Sequence, residues 1–238
     1  MIEQFNNYMK NFDLTDENIE RKYCHSLRVK KLCKLIAKAE SLSVEDEKIA
    51  EVIGLLHDYG RFKQWTKYHT YSDIDSIDHG DYGVELLFCD NEISNYWKNK
   101  KDYDVIYDAI KYHNKINIPK DIKHYNKMFC KIIRDADKID ILYIYVRNLL
   151  NLEENGEISL KVKEAFDKDK PINKKDNVTE ADNIITFLAF VYDLNFQFSF
   201  KYLKENHIID KIFEKVKDKE KFKYYFDKVN KYVDERNL

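Results

Sequence analysis

The sequence predicts an all-α fold, a multi-helix bundle followed by a helical C-terminal extension. Three observations carry this. Only 5 Gly and 2 Pro punctuate 238 residues, too few turn-formers for the many tight connections of a sandwich or barrel. Apolar residues make up 44% and charged residues 35%, so the chain can bury a core instead of remaining disordered. Apolar residues also recur at three- and four-residue spacings along most of the chain, which is the period of a helix with one buried face.

From Asp16 to about Leu42, residues Val29, Leu32, Cys33, Ile36 and Ala39 form one apolar stripe and predict a long helix. Ser43 is placed to cap the next helix, with Glu45 and Asp46 in its first turn. That helix turns Ile49, Val52, Ile53 and Leu56 inward and is expected to end at Gly60. Arg61 to Asp75 reads as a loop rich in aromatic and polar residues. Helices are expected again from Ser76 to Phe88 and from Asp102 to His113, then, after a break at Pro119, from Ile122 to Leu150. Residues 151–180 are charged and hold one short helix between loops. From Thr179 the chain is helical and aromatic-rich, ending in two or three amphipathic helices. The expected organisation is a catalytic domain over 1–150 and a helical extension over 151–238 packed on it.

Lys and Arg number 41 against 43 Asp and Glu, and so small a net charge gives no bulk attraction to nucleic acid. Lys30-Lys31 and the Lys98–Lys101 run read as solvated helix faces. The cysteines at 24, 33, 89 and 130 contain no CxxC pair, which is the usage of a reduced, cytoplasmic protein, and the abundance of Lys, Ile, Asn and Tyr suggests an AT-rich bacterial genome. The opening MIEQFNNYMK has no apolar signal core. The best apolar run, Ile184 to Tyr192, is too short to span a bilayer. No membrane partner is expected, and a homo-oligomer is left open.

The informative feature is which polar residues share a face with the apolar stripes. Neighbours at three or four residues lie on one side of a helix. His25 lies four before Val29, and His57 four after Ile53. His79 lies four before Gly83, and His113 three after Ile110. Asp137 lies four after Ile133 and four before Ile141, and Asp58 sits beside His57. One inward histidine is usually a hydrogen-bonded core residue. Several inward groups of the same chemistry point to a common partner, and a divalent cation serves imidazole and carboxylate together. His and Asp without Cys suit Fe, Mn, Co, Ni or Zn.

The segments CHSLRV at 24–29, LLHDYGRF at 55–62 and RDADKID at 134–140 make an H…HD…D pattern. It resembles the HD superfamily of metal-dependent phosphohydrolases over about residues 20–142. The resemblance implies His25, His57, Asp58 and Asp137 as metal ligands, with Asp135 in support. DHGDYGVELLF at 78–88 and AIKYHNK at 109–115 resemble the two-metal members and add His79 and His113.

It further implies that Asp58 bridges two cations and that a metal-activated water attacks phosphorus in a nucleotide or other small phosphate ester. Arg61 and Lys138 are the chosen catalytic cations, ahead of Arg28 and Lys115. Asp78, next to His79, is a candidate to orient a ligand. The loop with Trp65, Tyr68, His69 and Tyr71 is a candidate lid, and His69 and His124 carry no ligand role. The same six ligands also suit a di-iron HD-type oxygenase, and the domain also suits a non-catalytic nucleotide-sensing module.

Overall fold

The computed structural model describes residues 1–147 and 152–237, which are helical with no strand among them. They form two compact units, Met1–Ala136 and Asp137–Leu238.

In the first unit, α1 (Ile2–Met9) precedes the long α2 (Glu17–Ala39), which is capped by Asp16 accepting from the Asn18 amide at 2.8 Å. Next come α3 (Val44–Leu56), α4 (Tyr59–Tyr68), α5 (His79–Phe88) and α6 (Tyr103–Tyr112). Ser43 caps α3 as its sequence predicts, accepting from the Asp46 amide at 3.1 Å. Helix α2 lies along α3, α4 packs on α5, and α5 and α3 both meet α6. Phe5, Met9 and Phe62 are buried together beneath α1, with the Tyr8 and Tyr59 rings stacked at 3.9 Å. Arg134 donates to the carbonyls of Tyr112 and Ile116, both at 3.2 Å, and to that of Lys115. It thereby fixes the turn that follows α6.

The sequence reading departs from the structure at Gly60. No helix ends there: α3 stops at Leu56, and α4 begins at Tyr59 and carries on through the first half of the expected loop. Tyr59 and Phe62 are buried on one face of α4, but its polar composition hides that periodicity. Gly60 is needed for close approach. A Cβ there would stand 2.8 Å from the His79 carbonyl oxygen and 2.9 Å from the Gly83 nitrogen, so only glycine lets α4 press onto α5. His69, in the left-handed region at φ 51°, ends α4. Helix α1 was not among the expected elements, although Ile2, Phe5 and Met9 recur at helical spacing.

Helix α7 (His124–Val146) crosses from the first unit into the second, and the last residues of its expected run to Leu150 lie outside the described residues. In the second unit follow α8 (Leu160–Asp167), α9 (Glu180–Leu188), α10 (Gln197–Glu205), α11 (Ile208–Lys215) and α12 (Lys219–Arg236). Helix α12 packs on α9, α10 and α11. Buried Asp182 accepts from the amides of Ser159, Val178 and Thr179 and from the Ser159 hydroxyl, at 2.7–3.1 Å. These bonds staple the entry of α9 to that of α8.

Candidate metal centre

Five side chains from α2 to α6 converge in the first unit. His25, His57, Asp58, His79 and His113 are all buried, none more than 4% exposed. Asp58 stands between two groups of imidazoles, one facing each of its oxygens. Its Oδ2 is 3.5 Å from the Nε2 of both His25 and His57. Its Oδ1 is 3.5 Å from the Nε2 of His79 and 3.9 Å from that of His113. Within the groups, the His25 and His57 Nε2 atoms are 3.2 Å apart, and those of His79 and His113 are 2.9 Å apart.

Helix ends explain how most of these groups are aimed. His57 and His113 occupy the residue after the last turn of α3 and α6, where carbonyls have no intrahelical partner. The His57 Nδ1–H donates to the Gly54 carbonyl at 2.9 Å, and the His113 Nδ1–H to the Ile110 carbonyl at 2.6 Å. Each ring caps its own helix and turns Nε2 away from it. Asp58 holds the N-cap position of α4 but does not cap that helix with its side chain, which is turned toward the imidazoles.

The His79 Nδ1–H donates to Asp73 Oδ2 at 2.6 Å. Asp73 is in turn held by Arg61 at 2.8 Å, Gln64 at 3.1 Å and Asn114 at 3.2 Å. Carbonyls and carboxylates only accept, so the Nδ1 atoms of His57, His79 and His113 carry the protons and their Nε2 atoms present lone pairs. The His79 and His113 lone pairs therefore face each other at 2.9 Å with a carboxylate oxygen beside them. Such an arrangement repels itself without a cation.

Burial pushes the Asp58 carboxyl up, but the positive charges beside it, Lys22 first and then Arg61, outweigh it and hold the group well below the usual carboxylate range. Burial and the Arg61 charge push the His79 ring below its ordinary value, which keeps it neutral. Burial raises Asp73, yet its bond to His79 and the Arg61 charge bring the net shift down.

The donor set fits a metal. Two groups can each hold an ion, His25–His57–Asp58 and Asp58–His79–His113. Two donors at right angles, each about 2.1 Å from one ion, stand about 3.0 Å apart, close to the two His–His spacings. Neutral imidazoles and one carboxylate suit Fe, Mn, Co, Ni or Zn. Outer partners on the far ring nitrogens are the usual means of orienting such ligands.

Asp137 and Lys138 lie on α7 in the second unit. Asp137 is half-buried whereas Asp135 is fully buried, so burial does not favour Asp137 over Asp135 as the shared apolar face had suggested. Lys138 is ion-paired with Asp193 at 2.8 Å. Arg61 spends its Nη1 on Gln64, the Tyr71 carbonyl and Asp73, with its Nε 3.6 Å from Asp58. Lys115 pairs with Asp78 and Asp81 at 2.6 and 2.7 Å. Asp78 caps α5 through the Asp81 amide at 3.0 Å, and Asp73, not Asp78, orients His79.

Two residues of the site escaped the sequence reading. Asp73 lies in irregular chain without periodicity. Lys22 was detectable, since it lies three residues before His25 on the same face of α2, and its Nζ donates to Asp58 Oδ2 at 2.7 Å. The first half of the expected lid is helix α4. Trp65 there donates to Asp16 at 2.7 Å, and in the remaining loop the Tyr71 hydroxyl donates to the Asn18 carbonyl at 2.9 Å.

The model of the HD domain matches residues 23–142, just over half of the chain. The chain therefore belongs to the HD-domain family, a superfamily of metal-dependent phosphohydrolases. No curated protein and no solved structure matches it. No described helix is long and apolar enough to cross a membrane.

Proposed function

We propose that this protein is a metal-dependent phosphohydrolase acting on a nucleotide or other small phosphate ester. The observation that supports it most is Asp58, whose two oxygens each serve one pair of inward-facing imidazoles. Divalent ions bound there would supply a water acidic enough to deprotonate near neutral pH, and charge to offset the phosphoryl oxygens.

The chain's own groups set the stage for that chemistry. His25, His57, His79 and His113 offer ring nitrogens, and Asp58 remains ionised between them. Asp137, carried by the DADK motif, is proposed to complete the set. Asp73 keeps the proton of His79 on Nδ1, and Arg61 holds Asp58 and Asp73 in register. Lys138, through its charge, is proposed to act on the same substrate.

The test is elemental analysis of the purified protein and of Asp58→Ala, followed by phosphate release from nucleotides, cyclic dinucleotides and dinucleoside polyphosphates with and without oxygen. Bound transition metal, with oxygen-independent phosphate release lost in Asp58→Ala, is expected. Turnover that consumes oxygen and releases no phosphate would overturn the proposal in favour of an oxygenase. Tight nucleotide binding without turnover, across all five metals, would leave a sensing module.

A further inference from the structure

Lys22 brings an ammonium group to the edge of the centre. Its Nζ lies 2.7 Å from Asp58 Oδ2, the oxygen that faces His25 and His57. Its side chain is 18% exposed while that of Asp58 is 2% exposed, so the ammonium stands between solvent and the buried carboxylate. One side is bounded by the Tyr71 ring, with its centroid 5.6 Å away. The neighbouring cations are held by several protein acceptors each, Arg61 by Gln64, Tyr71 and Asp73, and Lys115 by Asp78 and Asp81.

We propose that Lys22 is the side chain that receives the substrate's phosphoryl group, and that its ammonium neutralises Asp58 until a metal ion shares that carboxylate. This rests on the metal-hydrolase reading above. An ionised carboxylate buried to this degree needs a compensating charge, and Lys22 supplies it. A divalent ion sharing that carboxylate would take over the compensation and would repel the ammonium. Lysine is a compact charge on a flexible four-carbon stem, and its exposed side leads to solvent, so the released ammonium is free to bind an anion arriving beside the ion. The ligand class is a terminal phosphoryl group, as in a phosphate monoester or a nucleotide polyphosphate. Lys22 thus answers two opposite demands, competing with the metal when substrate is absent and holding the anion once metal is bound.

The test uses full-length protein loaded with Mn(II) and freed of excess metal, with inorganic phosphate as the probe in calorimetric titrations. Lys22→Met is expected to bind the wild-type amount of metal with equal or higher affinity. It should bind phosphate about tenfold or more weakly, as expected for loss of one charge-assisted hydrogen bond. Lys22→Arg should retain phosphate affinity within about threefold, because the charge remains. Wild-type phosphate affinity in Lys22→Met would overturn the proposal while leaving the hydrolase reading intact. Failure of both variants to take up metal would also overturn it, making Lys22 a support of Asp58. Absence of metal uptake by the wild type would remove the hydrolase reading itself.

Discussion

The Nε2 atoms of His79 and His113 stand 2.9 Å apart, while both rings donate their Nδ1–H to other acceptors. Two lone pairs so placed are held against their own repulsion by the helices that carry them. A cation between them relieves that repulsion. His113→Ala should therefore lower bound metal from roughly two ions per chain, the usual complement of a two-metal hydrolase, to about one. His57→Ala should affect the other ion. Elemental analysis of the two variants side by side checks this, and equal metal content in both and in the wild type would count against two distinct ion positions.

Asp73 touches His79 through the nitrogen that faces away from the centre. Its removal takes no ligand away but frees the ring to rotate and to shift its proton. Asp73→Asn should weaken the Asp58–His79–His113 position by about 10- to 100-fold, the usual effect of losing an outer partner of a metal ligand, and spare the His25–His57 position. A two-phase metal titration would show one affinity moving and the other fixed.

Gly60→Ala places a methyl group against the His79 carbonyl and the Gly83 amide. Both are helix backbone and cannot step aside cheaply. The expected cost is about 1–3 kcal/mol of stability, read from urea denaturation. Because the same shift separates Asp58 from His79, the variant should also lose metal affinity. A fully stable variant would mean that α4 and α5 are less tightly joined than their backbone spacing indicates.

Asp182 sets a pH dependence in the second unit. Burial raises its pKa, but amide bonds from Val178 and Ser159, with further help from the Ser159 hydroxyl and Thr179, bring it below the ordinary carboxylate value. A folded pKa below the unfolded one, about 3.9, gives stability that is fully present above that unfolded value. It is lost as pH falls through the folded value. Asp182→Ala should destabilise the protein by about 1–3 kcal/mol at pH 7, and the gap to wild type should narrow below about pH 4. Denaturation curves at both pH values decide it; a gap that widens in acid would contradict the assignment.

Much of this was legible in the sequence, for identifiable reasons. Helices α2, α5, α6 and α7 each carry an apolar stripe long enough to fix their period. On them, His25, His79 and His113 share the face of those stripes and end up buried. The break between α3 and α4 was not legible, because it falls at His57 and Asp58, which are buried like the apolar residues on either side, with no Gly or Pro before Gly60. Lys22 went unnoticed because a lysine near the start of a charged helix reads as solvated surface. Asp73 sits in a segment whose course depends on bonds to Arg61, Gln64 and Asn114, from other parts of the chain.

The sequence by itself determined the helical class, the inward histidines and the HD family, because these follow from residue type at short, periodic spacing. Only the tertiary structure decided that Asp58 stands between two imidazole pairs, that Asp73 rather than Asp78 orients His79, and that Lys22 reaches the carboxylate. The first and last of these join residues far apart in the chain, and the Asp73–His79 bond closes an irregular segment between two helices. Such contacts are set by helix packing, down to the missing side chain of Gly60, and no local pattern records them.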